Sequence, residues 1–139
     1  MQLTVKDWMK DLVVYIGPDK TVKEALSLMR HRYINSLIVD KSETNAEYGI
    51  ITSIDISDKI VAQGKNPATT NVREIMNTPL ITVNTHMNLK ECAELMKKHR
   101  IHHLPVEDEH GKLVGMISAT DFLVVAEAMG TDFKERSLT

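Results

Sequence analysis

Two short stretches combine residue types that can do chemistry at a fixed spacing: Thr52-Ser53-Ile54-Asp55 and Ser118-Ala119-Thr120-Asp121. Each follows a β-rich run that starts with glycine, Gly49-Ile50-Ile51 and Gly115-Met116-Ile117, and each opens a helical pattern. A hydroxyl followed three residues later by a carboxylate, at a helix start, suits a nucleotide. The helix N-terminal amides and the hydroxyl favour an anion such as phosphate. The carboxylate accepts only, so it can take two hydrogen bonds from vicinal sugar hydroxyls. The same residue types also serve as plain helix caps, and both roles stand open at this level.

The run His99-Arg100-Ile101-His102-His103 is the other candidate. A metal site is a poor reading, because adjacent histidines entering a strand point to opposite faces and no nearby cysteine completes a ligand set. His99 falls at a helix end, where it suits the last carbonyls. His102 and His103 sit where a helix gives way to a strand and could donate to phosphate oxygens, or could be ordinary loop histidines. Cys92 lies on the apolar face of a helix and reads as a small core residue rather than a nucleophile. Ser118 has no Gly-x-Ser-x-Gly elbow around it, and neither a P-loop nor a Gly-x-Gly-x-x-Gly occurs. No catalytic set and no metal set can be named.

Composition narrows the function classes. The 139 residues carry 17 basic and 19 acidic side chains, a net charge of −2, so no basic field is available to hold a nucleic-acid backbone. One cysteine cannot form an internal disulfide, which fits a reducing, cytoplasmic location. No signal-peptide pattern and no stretch of about 18 apolar residues is seen, so a membrane role is not expected.

The elements that must position these residues occur twice. Sliding the chain by 67 positions brings nine identities into register over the 36 positions from Val5 to Asp40, including Val5 on Val72, Lys23-Glu24 on Lys90-Glu91, and Leu37 on Leu104. After a one-residue slip in a loop, Gly49 meets Gly115 and Asp55 meets Asp121. Nine matches with the apolar pattern also kept identify a duplicated unit. Val22, Ala25, Leu26 and Met29, and likewise Leu89, Cys92, Ala93 and Met96, form one buried helical face each. Thr21-Val22-Lys23-Glu24 and Asn88-Leu89-Lys90-Glu91 are capping signatures. Strands are expected at residues 13–16, 36–39 and 48–52, and at 80–83, 103–106 and 114–118. Closing helices are expected over 54–63 and 120–129, with glycine after each. The chain therefore reads as an α+β protein of two βαββα repeats, residues 1–66 and 67–130, with a polar tail at 131–139. Two units of this size should bury their sheets against one another about a pseudo-two-fold axis.

In this arrangement the sequence resembles a tandem pair of CBS domains. The carrying residues are Val72-Arg73-Glu74-Ile75-Met76-Asn77-Thr78-Pro79, Ile101-His102-His103-Leu104-Pro105-Val106 and Gly115-Met116-Ile117-Ser118-Ala119-Thr120-Asp121, with weaker counterparts at Ile34–Val39 and Gly49–Asp55. The resemblance implies a regulatory module, commonly a homodimer, that takes an adenosyl ligand (AMP, ADP, ATP or S-adenosylmethionine) in clefts between the repeats and controls a partner protein, with no cofactor required. It implies that Asp121 and Asp55 take the ribose. Ser118, Thr120 and Thr52 match phosphate-side positions, Met116 and Ile50 match positions touching the base, and His102 and His103 match a basic pair near phosphates. It further implies that Thr78, Leu80 and Ile81 accompany Asp55, and Val13 and Val14 accompany Asp121. Repeat one lacks the basic pair and has Ile54 in place of Thr120, which implies an empty site or one for a less charged ligand. The alternative is a dimerisation module without a small ligand, with Phe122 and Val125 at its interface. An enzyme using Ser118 or a histidine ranks last.

Overall fold

A computed structural model describes residues 3–130 of the chain; the expected polar tail at 131–139 lies outside the described residues. In the first repeat, α1 (Val5–Trp8) is followed by β1 (Tyr15–Ile16), α2 (Val22–Arg32), β2 (Ser36–Val39), β3 (Gly49–Thr52) and a closing helix that starts as α3 (Ser53–Asp55). In the second, a 3-10 turn (Val72–Glu74) precedes β4 (Val83–Asn84), α4 (Leu89–His99), β5 (His103–Glu107), β6 (Leu113–Ser118) and α5 (Asp121–Gly130). Each repeat forms a mixed three-stranded sheet, ordered β1-β2-β3 and β4-β5-β6. The first pair in each is parallel, joined by a helical crossover, and the second is an antiparallel hairpin. The two βαββα repeats expected from the duplication are present.

The helices begin and end where the sequence dictates. Thr21 Oγ1 accepts the Glu24 amide at 3.1 Å while the Glu24 carboxylate accepts the Thr21 amide at 3.3 Å, a complete capping box. Asn88 caps α4 through Lys90, whose amide donates to Oδ1 at 2.7 Å. Both helices stop at a left-handed residue, Tyr33 and Arg100, each with φ of 55°.

The opening strands are shorter than expected. Residues 13–16 contract to Tyr15–Ile16 and residues 80–83 shift to Val83–Asn84. The parallel ladder reaches just two residue pairs in each repeat, and Val14 contributes a single carbonyl, to the Ile38 amide at 2.9 Å. The first closing helix also differs. After Asp55 it widens into a π-helix over Ile56–Val61, with the Ala62 amide donating to Ser57 O at 2.9 Å. Insertions of this kind recur near functional sites. In the second repeat the closing helix is α-helical and includes Gly130, which was expected to follow it.

The compact units do not follow the repeats as contiguous stretches. One holds Val13–Ile81, and the other joins, among the described residues, 3–12 to 82–130. The lead-in of each repeat thus packs on the other repeat's sheet and helices. In the first unit Val72 and Ile75 join Ile16, Val22, Ala25, Met29, Leu37, Val39, Ile51 and Ile60 in one core. The Val72 amide donates to Lys20 O at 2.8 Å and the Val22 amide to Thr70 O at 2.8 Å. In the second unit the Val5 amide donates to Met87 O and the Lys6 amide to Thr85 O, both at 2.9 Å. Val5 is fully buried, as are Cys92, Leu104, Val106 and Ile117. The equivalence of Val5 and Val72 in the sequence is therefore an equivalence of packing, each completing a core built by the other repeat.

The candidate functional site

Both hydroxyl–carboxylate stretches form tight corners where the third strand turns into the closing helix. In the first unit the Thr52 amide donates to Asp55 Oδ2 at 2.9 Å and the Thr52 hydroxyl donates to the same oxygen at 3.2 Å. In the second, the Ser118 amide donates to Asp121 Oδ2 at 2.8 Å and the Ser118 hydroxyl at 3.1 Å. The Thr120 hydroxyl lies 2.8 Å from that of Ser118. The residue after each hydroxyl is tied to the junction between helix and second strand: Ser53 N–H donates to Asn35 O at 3.0 Å, and Ala119 N–H to His102 O at 2.9 Å. The cap left open by the sequence is therefore present at both corners, and it uses one carboxylate oxygen. Oδ2 makes the cap in each, and Oδ1 takes no part in it.

What reaches Oδ1 comes largely from the exchanged lead-in. In the first unit, Asn77 and Ile50 exchange both backbone hydrogen bonds at 2.9 Å, which brings the Asn77 amide group to Asp55 at 2.9 Å from Oδ1 and 3.0 Å from Oδ2. Lys59 then places Nζ 3.1 Å from Oδ1. In the second unit, Lys10 pairs with Met116 through hydrogen bonds of 3.0 and 2.9 Å, and its Nζ stands 3.6 Å from Asp121 Oδ1. Glycine makes these approaches possible. A Cβ on Gly115 would lie 2.5 Å from Lys10 O and 2.8 Å from Met9 Sδ, and one on Gly49 would lie 2.8 Å from Met76 Sδ. Lys10, Asn77 and Lys59 were not anticipated as site residues. The repeat register does align Lys10 with Asn77, and Lys59 is four residues beyond Asp55, a helix-neighbour spacing.

The remaining candidates fall as follows. Ile50 and Met116 are half-buried in the strands that carry the corners, and Thr120 is exposed. Thr78, Leu80 and Ile81 lie in the same unit as Asp55, with the Thr78 hydroxyl donating to Tyr48 O at 3.1 Å. Val13 and Val14 also lie in that unit, and both are half-buried. His103 is buried in β5 directly across from Ser118 in the hairpin, whereas His102 is exposed. Cys92 is buried, and burial pushes its thiol up to about 11, far from a reactive thiolate. Among the described residues no cluster of histidine, cysteine and acidic side chains could hold a metal ion, and no helix is long and apolar enough to cross a membrane.

Comparison with known proteins agrees with the duplicated architecture. The model of the CBS domain family matches residues 5–62 and 72–128. An uncharacterized protein of Methanopyrus kandleri is 38% identical over 113 residues, which is 81% of this chain, and this chain spans 57% of that protein's length. The hexameric CBS-CP12 protein from bloom-forming cyanobacteria superimposes with a TM-score of 0.83 at 32% identity, covering 94% of this chain and 76% of its own. A CBS-domain pair solved in complex with 5′-methylthioadenosine and S-adenosyl-L-methionine superimposes with a TM-score of 0.78 at 27% identity, covering 93% and 99% of the two chains. With two family matches that together take in most of its length, each carrying one hydroxyl–carboxylate corner, the chain belongs to the CBS domain family.

Proposed function

We propose that the chain is a regulatory module that takes an adenosyl ligand (AMP, ADP, ATP or S-adenosylmethionine) at its hydroxyl–carboxylate corners and through it controls a partner protein in a reducing, cytoplasmic compartment, without catalysis of its own. One observation carries this reading. Asp121 is held by Ser118 through Oδ2 alone, so Oδ1 is aimed and rigid but faces just the Lys10 ammonium at 3.6 Å among the described residues. A preoriented acceptor beside two hydroxyls and a cation matches the needs of a ribose and its phosphate. The complex of a related CBS-domain pair with two adenosyl compounds supports the ligand class.

A ligand that binds the folded chain raises its stability by mass action, about 2.7 kcal/mol at a hundredfold excess over Kd. Thermal melting with millimolar AMP, ATP and S-adenosylmethionine tests the proposal. A rise of several degrees with one of them is expected, and no shift with any of them overturns it.

A second reading, a dimerisation module, is favoured by α5. Leu123, Val124 and Met129 are 71%, 57% and 66% exposed on a helix whose one acid after Asp121 is Glu127. Beside it runs a groove of about 720 Å³ lined by Leu89, Ala93, Phe122 and Val125 among others. Exposed apolar faces of this kind mark association surfaces. Light scattering should give twice the chain mass, reduced to one chain by Leu123→Glu with Val124→Glu; a monomeric wild-type chain would refute it.

A further inference from the structure

The two corners descend from one duplicated unit, yet their carboxylates are in different chemical states. Asp55 is 6% exposed, and both of its oxygens are taken. Oδ2 accepts from the Thr52 amide, the Thr52 hydroxyl and Asn77. Oδ1 accepts from Asn77 at 2.9 Å and faces Lys59 Nζ at 3.1 Å. Lys59 is fixed in turn, donating to Ile75 O at 2.8 Å and Asn77 Oδ1 at 3.1 Å. The π-helical turn of Ile56–Val61 carries this lysine. At the equivalent place in the second repeat stands Val125, which is buried, so Asp121 has no counterpart of Lys59. Among the described residues its ion-pair partner is Lys10, whose side chain is 71% exposed and longer by half an ångström in its approach.

We infer that the Asp55 corner is closed by the chain's own Lys59 and Asn77, which occupy the carboxylate that a ribose would need, and that the module takes one ligand per chain, at the Asp121 corner, with Lys10 released to the ligand's anionic group. This rests on the reading above that the ligand is an adenosyl compound. A ligand hydroxyl at Asp55 would have to displace a cation and an amide that are already hydrogen-bonded to a buried carboxylate. The buried member of the pair is Asp55, its side chain 8% exposed against 34% for that of Lys59, and stripping a buried carboxylate of its cation is far more costly than separating an exposed pair. At Asp121 the displaced ammonium returns to water, or to a phosphate, at little cost.

The experiment has two arms. In the first, AMP, ATP and S-adenosylmethionine are each titrated calorimetrically into the wild type, Asp121→Asn, Lys59→Met with Asn77→Ala, and Lys10→Met. One site per chain is expected in the wild type, none in Asp121→Asn, and two in Lys59→Met with Asn77→Ala, which clears both groups from Asp55. Lys10→Met is expected to weaken ATP about tenfold or more while leaving S-adenosylmethionine within about twofold. Two equivalent sites in the wild type, retention of binding by Asp121→Asn, or a single site in the Lys59→Met, Asn77→Ala double variant overturns the inference. The second arm needs no ligand. Lys59→Met should lower the melting temperature by about 5 °C or more, and Lys10→Met by less than about 2 °C. Equal effects would show that Lys59 locks nothing. If no compound binds the wild type but the melting contrast appears, the adenosyl reading fails while the closed corner stands.

Discussion

Truncating Val72 to alanine separates packing from sequence order. Val72 opens the second repeat in the sequence, but its side chain is fully buried in the core that holds Ile16, Met29, Leu37 and Ile51. Val72→Ala removes two methyl groups, about 1.6 kcal/mol of transfer free energy at 0.8 kcal/mol each. The void left among rigid β-sheet neighbours adds to this, for a total of roughly 2–3 kcal/mol. Read by native-state hydrogen exchange, that loss accelerates the slowest amides of the first unit by roughly 30- to 150-fold. The amides to follow are those of Leu37, Val39 and Ile51, which lie in the β2–β3 hairpin. Val5→Ala should do the converse, accelerating Leu104, Val106 and Ile117 in the β5–β6 hairpin. Faster exchange confined to β5 and β6 in Val72→Ala would refute the exchange of lead-ins, because it would place Val72 in the core of its own repeat.

Three other outcomes follow from the same contacts. Gly115→Ala puts a Cβ 2.5 Å from Lys10 O, and the melting temperature should fall by roughly 5–15 °C; an unchanged melt would mean that the lead-in can slide away freely. The Cys92 thiol, at about 11 instead of 9.0, carries roughly a hundredfold less thiolate at pH 8 than an ordinary cysteine. Its alkylation should be slow in the folded chain until the pH nears 11 and fast in guanidinium, and rapid labelling of folded protein at pH 8 would contradict the burial. Thr21→Ala removes half of a capping box and should cost about 1 kcal/mol in chemical denaturation, where a loss under about 0.3 kcal/mol would assign the start of α2 to packing alone.

The repeat, the helix faces, the caps and both corners are legible in the sequence because each rests on local chemistry. A 3.6-residue apolar period, a Thr-x-x-Glu box and a hydroxyl three residues from a carboxylate each span fewer than a dozen positions. The opening strands are less legible. Residues 13–16 and 80–83 have β-rich composition, but a parallel strand needs a distant partner, and the ladder's length is set by where β2 and β5 end. The π-turn at Ile56–Val61 is not encoded by period at all. It accompanies Lys59 reaching Ile75 O, a contact across 16 residues. Lys59 was hidden for the same reason. A lysine four residues after an aspartate reads as an ordinary surface pair, and just the arrival of Asn77 and Ile75 O fixes it over a buried carboxylate.

Exchange of the lead-ins gives the duplication its functional sense. Neither corner is completed by the repeat that bears its carboxylate: Asp55 is met by Asn77 and Asp121 by Lys10, each delivered from the start of the other repeat through a pair of backbone hydrogen bonds on either side of a strand residue, Ile50 or Met116. A change of one residue in a lead-in therefore alters the partner of a carboxylate some 20 to 110 positions away while leaving the sheet that holds it untouched. Asn77 is neutral, bidentate and short, and it fastens Asp55. Lys10 is charged, long and exposed, and it leaves Asp121 Oδ1 exchangeable. Interchanging the two, Lys10→Asn together with Asn77→Lys, keeps composition and net charge fixed and alters only which corner receives the amide. If lead-in identity sets the state of each carboxylate, Asp121 becomes the fastened one and loses its ligand-dependent rise in melting temperature. If that rise persists undiminished, the lead-ins are merely structural and the difference between the corners resides in Lys59 and Val125.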